Sequence, residues 1–222
     1  SIVAIEVAHS TDFELEVSLN NTDNLAALQF DLNYNVDAFV LKTGHLLTDR
    51  GSQHDLVVST PEPGIARIII YSSSNANLSG SEGVLLKLKL KTLTLPGDIN
   101  LSFANAVASS STGASISIDG SSSSLKVLCP RLQMDATELN FWQVQLDSDA
   151  RRYLYVQNSG SQDLELSSVN DIDPFSISED FPIIIQANSS RSIAIRLNTG
   201  SKGTKEATLS FVNNDPDSLR NI

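Results

Sequence analysis

Basic residues are scarce in this chain: 15 Lys and Arg stand against 26 Asp and Glu among 222 residues, a formal net charge of −11. The deficit is even, with seven basic and thirteen acidic side chains in residues 1–128 and eight and thirteen in residues 129–222. No basic cluster interrupts it, which argues against a surface that tracks phosphates or an anionic membrane face. Long apolar runs are missing too. None approaches the ~20 residues that a spanning helix needs. Ser1–Ala8 is too short and too acidic for a leader, so an export signal is expected outside this chain. The single cysteine, Cys129, forbids an internal disulfide. Helical periodicity is absent from every long segment, and that leaves β-structure as the organising principle.

Catalytic chemistry is equally thin. Neither a Gly-x-Ser-x-Gly elbow nor a Gly-rich phosphate loop occurs. His54 and Asp55 are adjacent, so on a strand their side chains would point to opposite faces rather than form a relay. His9, His45 and His54 are scattered, and with one cysteine they cannot make a zinc quartet; a partial site with Asp55 is the most they offer. Asp31, Asn33 and Asn35 are spaced like the first ligands of a calcium loop. The required glycine is Val36 and the closing Glu is Lys42, so the motif fails. Glu14 and Glu16 share a strand face and read as solvated acids rather than a glycosidase pair. No cofactor, no metal and no enzymatic activity are expected.

Strand patterns fill the space these absences leave. The organising stretch is Asn24–Leu41. Leu28, Phe30, Leu32 and Tyr34 fall on one face and Gln29, Asp31 and Asn33 on the other, the period of a half-buried strand. Asn35-Val36-Asp37 breaks the pattern before Ala38–Leu41 resumes it. Upstream, Phe13, Leu15, Val17 and Leu19 alternate with Glu14, Glu16 and Ser18, and the turn Asn20–Asp23 joins the two runs. Downstream, Pro61–Gly64 reads as a turn and Ile65–Tyr71 as a strand covered on both faces. Val84–Leu90 sets Val84, Leu86, Leu88 and Leu90 against Lys87, Lys89 and Lys91. Ile99, Leu101 and Phe103, then Ile116, Ile118, Leu125 and Val127, close the first half. About nine short strands predict a sandwich or jelly roll.

Leu128-Cys129-Pro130 reads as a boundary, giving domains 1–128 and 129–222. Beyond it, strands are expected at Leu139/Phe141, Leu154/Val156, Leu164/Leu166, Phe175/Ile177, Ile183–Ile185, Ile193–Leu197 and Leu209–Val212. Seven strands in about 90 residues fit an immunoglobulin-like sandwich; a final strand of it would lie beyond Ile222. Among the aromatics, Tyr34, Trp142, Tyr153 and Tyr155 are assigned to packing rather than to a sugar-binding row. Ile68-Ile69-Ile70 reads as core, with Ile69 the candidate for an exposed anchor.

Three segments of the first half, Asn24–Tyr34, Gly80–Leu86 and Gly113–Val127, resemble the cohesin domain, the receptor that holds dockerin modules in bacterial cellulosomes. The resemblance runs over residues 5–128. It implies a nine-stranded jelly roll that grips a dockerin helix pair with one sheet face, here Ala27, Gln29, Asp31, Asn33, Arg67 and Ile69. Where the best-known cohesins carry Asn and Asp near the start of this strand, Ala27 and Gln29 stand, which implies a different partner. Cellulose-binding modules share the alternation and are the competing resemblance. The second half resembles the hydin-type, choice-of-anchor immunoglobulin-like repeats. Leu139-Asn140-Phe141, Tyr155–Gly160 and Asn213–Asp217 carry that likeness, and it implies a spacer or assembly module without catalytic residues.

The expectation is an all-β, monomeric, extracellular or cell-surface scaffold of a bacterium or archaeon. Its partner would be a protein, a dockerin-like module, or alternatively a glycan; nucleic acid is not a partner. A structural stalk that binds nothing soluble is the third reading.

Overall fold

The computed structural model describes residues 1–2, 5–94 and 96–217. The chain is all-β and divides into two compact units, Ser1–Val127 and Leu128–Ile222.

The first unit contains β1 (Ile5–Ala8), β2 (Asp12–Ser18), β3 (Ala27–Asn33), β4 (Phe39–Leu41), β5 (Leu46–Leu47), β6 (Asp55–Glu62), β7 (Ile65–Tyr71), β8 (Val84–Thr92), β9 (Gly97–Ser109), β10 (Ser115–Ile116) and β11 (Ser122–Leu128). Among the described residues eleven strands stand where about nine were expected, because β5 and β10 are two-residue pairings too short to leave a periodic trace. The larger sheet runs β1-β11-β9-β3-β7-β6 with β10 on β9; the smaller runs β2-β8-β4 with β5 on β8. Their inner faces supply the core. From the larger sheet come Leu28, Phe30, Leu32, Ala66, Ile68, Ile70 and Leu101, and from the smaller Leu15, Val17, Leu86, Leu88 and Leu90. Phe30 and Phe103 meet edge to face with centroids 5.2 Å apart, the geometry that the ring quadrupole favours.

Pairing explains the exposed faces. Glu14 and Glu16 of β2 lie opposite Lys89 and Lys87 of β8, and Lys87 Nζ reaches Glu16 Oε1 at 3.0 Å and Glu14 Oε2 at 3.8 Å. A bulge where Ser18 pairs with Val84 adds Leu85 to β8, and so Leu85 and Leu86 are both buried despite being neighbours. Strand β7 differs from expectation. Its Ala66, Ile68 and Ile70 are buried, whereas Ile65, Arg67 and Ile69 are half-buried and Tyr71 is exposed. An apolar run of β-branched residues hid a two-faced strand.

The second unit contains β12 (Leu132–Met134), β13 (Ala150–Asn158), β14 (Leu164–Val169), β15 (Phe175–Ile177), β16 (Ile183–Ile185), β17 (Ser189–Leu197) and β18 (Phe211–Asn213). They form the sheets β12-β13-β17-β15 and β16-β14-β18. Leu132, Leu154, Val156, Leu164, Leu166, Ile183, Ile185, Ile193, Ile195 and Phe211 are buried between them. Residues 139–141 form no strand, contrary to expectation; Leu139 and Phe141 instead pack on this core from a loop. The unanticipated β12 takes a place at the edge of β13.

Asparagine and aspartate organise the corners of this unit. Asn158 is fully buried and uses its whole amide. Its Oδ1 accepts from the Arg131 and Gly160 N–H groups, and its Nδ2 donates to the Gln162 and Ile185 carbonyls. Asp215 Oδ2 accepts the Leu132 N–H at 2.7 Å. Asn214 Oδ1 accepts from Glu165 N while its Nδ2 donates to Asp163 O. The Asn-Ser-Gly and Asn-Asp-Pro-Asp stretches thus satisfy backbone groups that the strand ladders leave open.

Candidate functional site

The larger sheet of the first unit has an outer face whose composition follows from strand register. Core-facing Leu28, Phe30 and Leu32 fix the parity of β3, so Ala27, Gln29, Asp31 and Asn33 point the other way. Their partners on β7 are Tyr71, Ile69, Arg67 and Ile65. Strand β6 continues the rows with Asp55, Val57 and Ser59, and β9 completes them with Ser109, Val107, Ala104 and Ser102. The six residues expected at a partner face, Ala27, Gln29, Asp31, Asn33, Arg67 and Ile69, therefore lie on two adjacent strands.

A row with three apolar members crosses the middle of that face: Val57, Ile69, Gln29 and Val107 stand side by side on four strands. Val57 is 44% exposed, Val107 56% and Tyr71, one row away, 40%. The sequence reading missed these three. Val57 lay in a stretch without clear alternation, and Val107 lies beyond the point where the pattern of β9 fades. The margins are polar, with Asp55, Ser59, Asn33, Ser102 and Ser109, and Asn33 Nδ2 lies 3.4 Å from Ser102 Oγ.

Asp31 departs from its expected role. It is 1% exposed, so its carboxylate is not offered to solvent. Arg67 grips it with two parallel bonds, Nε to Oδ1 and Nη2 to Oδ2, both 2.8 Å. Asn105 Nδ2 donates to Oδ2 at 2.8 Å. Asn105 reaches that position because β9 bulges between the residues paired with Gln29 and Asp31, and its φ of 51° lies in the left-handed region. The Arg67 hydrogen bonds hold the Asp31 carboxyl below its usual range against the opposing effect of burial, with Asn105 and the Arg67 charge adding to the same direction. The partner shift agrees: the Asp31 carboxylate raises the Arg67 guanidinium.

This geometry suits recognition rather than reaction. The Arg67 charge is neutralised within the face, and a bidentate pair gives the guanidinium a fixed plane. What remains for a partner is a rigid, electrically quiet apolar centre inside a polar rim, the anatomy of a protein interface. Asp31 also closes the calcium-loop reading structurally, since it lies within a strand and both oxygens are occupied. Two of the three histidines serve locally: His45 Nδ1 accepts from Lys89 N at 3.0 Å, and His9 Nδ1 is bonded to Ser10 Oγ.

The family model described as Cohesin domain matches residues 1–127. Among solved structures, a CaDoc0917–CaCohA2 complex is similar with a TM-score of 0.50 and 16% identity, over 57% of this chain and 96% of that one; CaCohA2 comes from Clostridium acetobutylicum. A non-cellulosomal cohesin of the archaeon Archaeoglobus fulgidus is 16% identical with a TM-score of 0.49, over 57% and 87% of the two chains. The cohesin module of a Clostridium perfringens family 33 glycoside hydrolase is 21% identical with a TM-score of 0.48, over 57% and 93%. No curated protein matches the chain.

Proposed function

The chain belongs to the cohesin family through residues 1–127, and on that premise we propose that the outer face of β6, β7, β3 and β9 captures a dockerin-like module. The observation that carries this reading is the row Val57–Ile69–Gln29–Val107, apolar except for Gln29 and exposed at Val57 and Val107, set in a polar, charge-neutralised surface. An amphipathic helical partner would lay its apolar stripe on that row. Asp31, Arg67 and Asn105 hold the floor beneath it. Ala27 and Asn33 mark the two ends of the β3 contribution. Ala27 and Gln29 leave this end of β3 without a charged contact, which favours a partner with an uncharged surface.

The second unit acts as an immunoglobulin-like spacer, and the whole serves as a non-catalytic scaffold segment outside the cell. Capture is non-covalent and needs no cofactor. Calorimetric titration of the full chain with dockerin modules, calcium present, tests the proposal. Submicromolar binding is expected, and Ile69→Asp or Val107→Asp should weaken it at least ~tenfold, about 1.4 kcal/mol or more. Heat-silent titrations with every dockerin of the source organism, or binding untouched by both substitutions, would sink it.

A further inference from the structure

The second unit carries a different exposed surface, on β13 and β17. Tyr153 and Tyr155 are 60% and 54% exposed, although the sequence pattern assigned both to packing. They escape the core because Leu154 and Val156, fully buried, fix the opposite parity. Two residues apart on one face, the rings stand about 7 Å apart along the strand. Their cross-strand neighbours are Ala194 and Ser192, side chains too small to cover a ring. The row continues through Gln157, opposite Ser190 on β17 and Gln133 on β12. At the other end Arg151 faces Arg196.

Charge on this face is balanced. Arg151 is held by Asp149 through two hydrogen bonds, and Asp149 also feels the Arg196 charge. Asp135 spends Oδ1 on the Tyr155 N–H at 3.0 Å. No aliphatic side chain larger than Ala194 stands beside the rings in the paired strands. The patch therefore lacks the apolar centre of a protein interface and the net charge that an ionic polymer needs. What it offers is two exposed tyrosine rings on one sheet face, the Tyr153 hydroxyl bonded to Arg151, edged by side-chain amides and hydroxyls. Those groups match the apolar C–H face and the ring of hydroxyls of a pyranose.

We propose that Tyr153 and Tyr155 form a platform on which a neutral polysaccharide of pyranose units stacks along β13, with Gln157, Gln133 and Ser192 hydrogen-bonding its hydroxyls. This makes the second unit a binding module as well as a spacer, independent of the face on β3 and β7.

Native affinity electrophoresis of the full chain through gels containing hydroxyethyl cellulose, xylan, galactomannan or glycogen tests it, with polygalacturonate as the charged control. Retardation is expected in at least one neutral gel and not in polygalacturonate. Tyr153→Ala with Tyr155→Ala should weaken it at least ~tenfold while circular dichroism stays unchanged, and the Tyr155→Phe variant, which keeps the ring, should retain it. Ile69→Asp should leave it intact, which separates this site from dockerin capture. Free migration in all four neutral gels overturns the proposal. Retardation by polygalacturonate alone, or retardation that survives loss of both rings, does the same.

Discussion

Asp31 illustrates what a single residue's pattern can and cannot tell. Its parity in β3 was legible, because Leu28, Phe30 and Leu32 set it. Its burial was not, since that depends on Arg67, 36 positions away, and on Asn105, 74 away, and neither separation leaves a local trace. The carboxyl is depressed in the folded state, chiefly by Arg67, so the unfolded chain binds its proton first as pH falls. The stabilisation is complete above about pH 4, where the unfolded carboxylate is ionised, and is lost as pH drops through the lower folded value. Asp31→Asn is expected to lower the thermal midpoint at pH 7 by a few degrees and to flatten the acid limb below pH 4. Scanning calorimetry from pH 7 to 2 checks both. An unchanged acid limb in the variant would mean that the pair contributes nothing to folding.

Individual strands were legible wherever one face is wet and the other dry. Strand β8 announced itself because its lysines sit opposite the glutamates of β2, and β13 because Leu154 and Val156 alternate with polar neighbours. Strand β12 was missed, being three residues long and held as much by the Asp215 cap as by its ladder. Residues 139–141 misled for the converse reason: Leu139 and Phe141 alternate, but they cover the core from a loop. Corners matter as much as ladders here. A Cβ on Gly160 would lie 2.5 Å from Arg131 N and 2.6 Å from the Pro130 carbonyl carbon, and backbone atoms cannot step aside as side chains do. Gly160→Ala should therefore destabilise the second unit by about 1–3 kcal/mol, read as a lower denaturant midpoint of that unit's transition followed by circular dichroism. A midpoint equal to the parent's would show that the corner can relax.

For the molecule as a whole, the all-β class was plain from periodicity, because no segment offered a helical alternative. The cohesin likeness in the first half was legible from short segments. The aromatic surface of the second half was not, because a tyrosine in an alternating strand reads the same whether its face is covered or open. Each unit buries its own apolar set, Leu15, Leu32, Ile68 and Leu88 in one and Leu154, Leu166, Ile183 and Ile193 in the other. Residues 1–127 produced alone are accordingly expected to melt cooperatively, at the midpoint of the matching transition in the full chain. Differential scanning calorimetry decides it; a broad, heatless transition would mean that the first core depends on the second unit.

Cys129 lies where β11 ends and the second unit begins, 4% exposed, and burial pushes its thiol up from the ordinary range. Its carbonyl accepts the Ser161 N–H, which ties the buried residue to the same corner that holds Gly160. As the sole thiol in the chain, it is a built-in clock. A disulfide reagent can label it only as fast as that corner breathes open, and the labelling half-time, set against the rate for an unhindered thiol, gives the free energy of local opening at the corner.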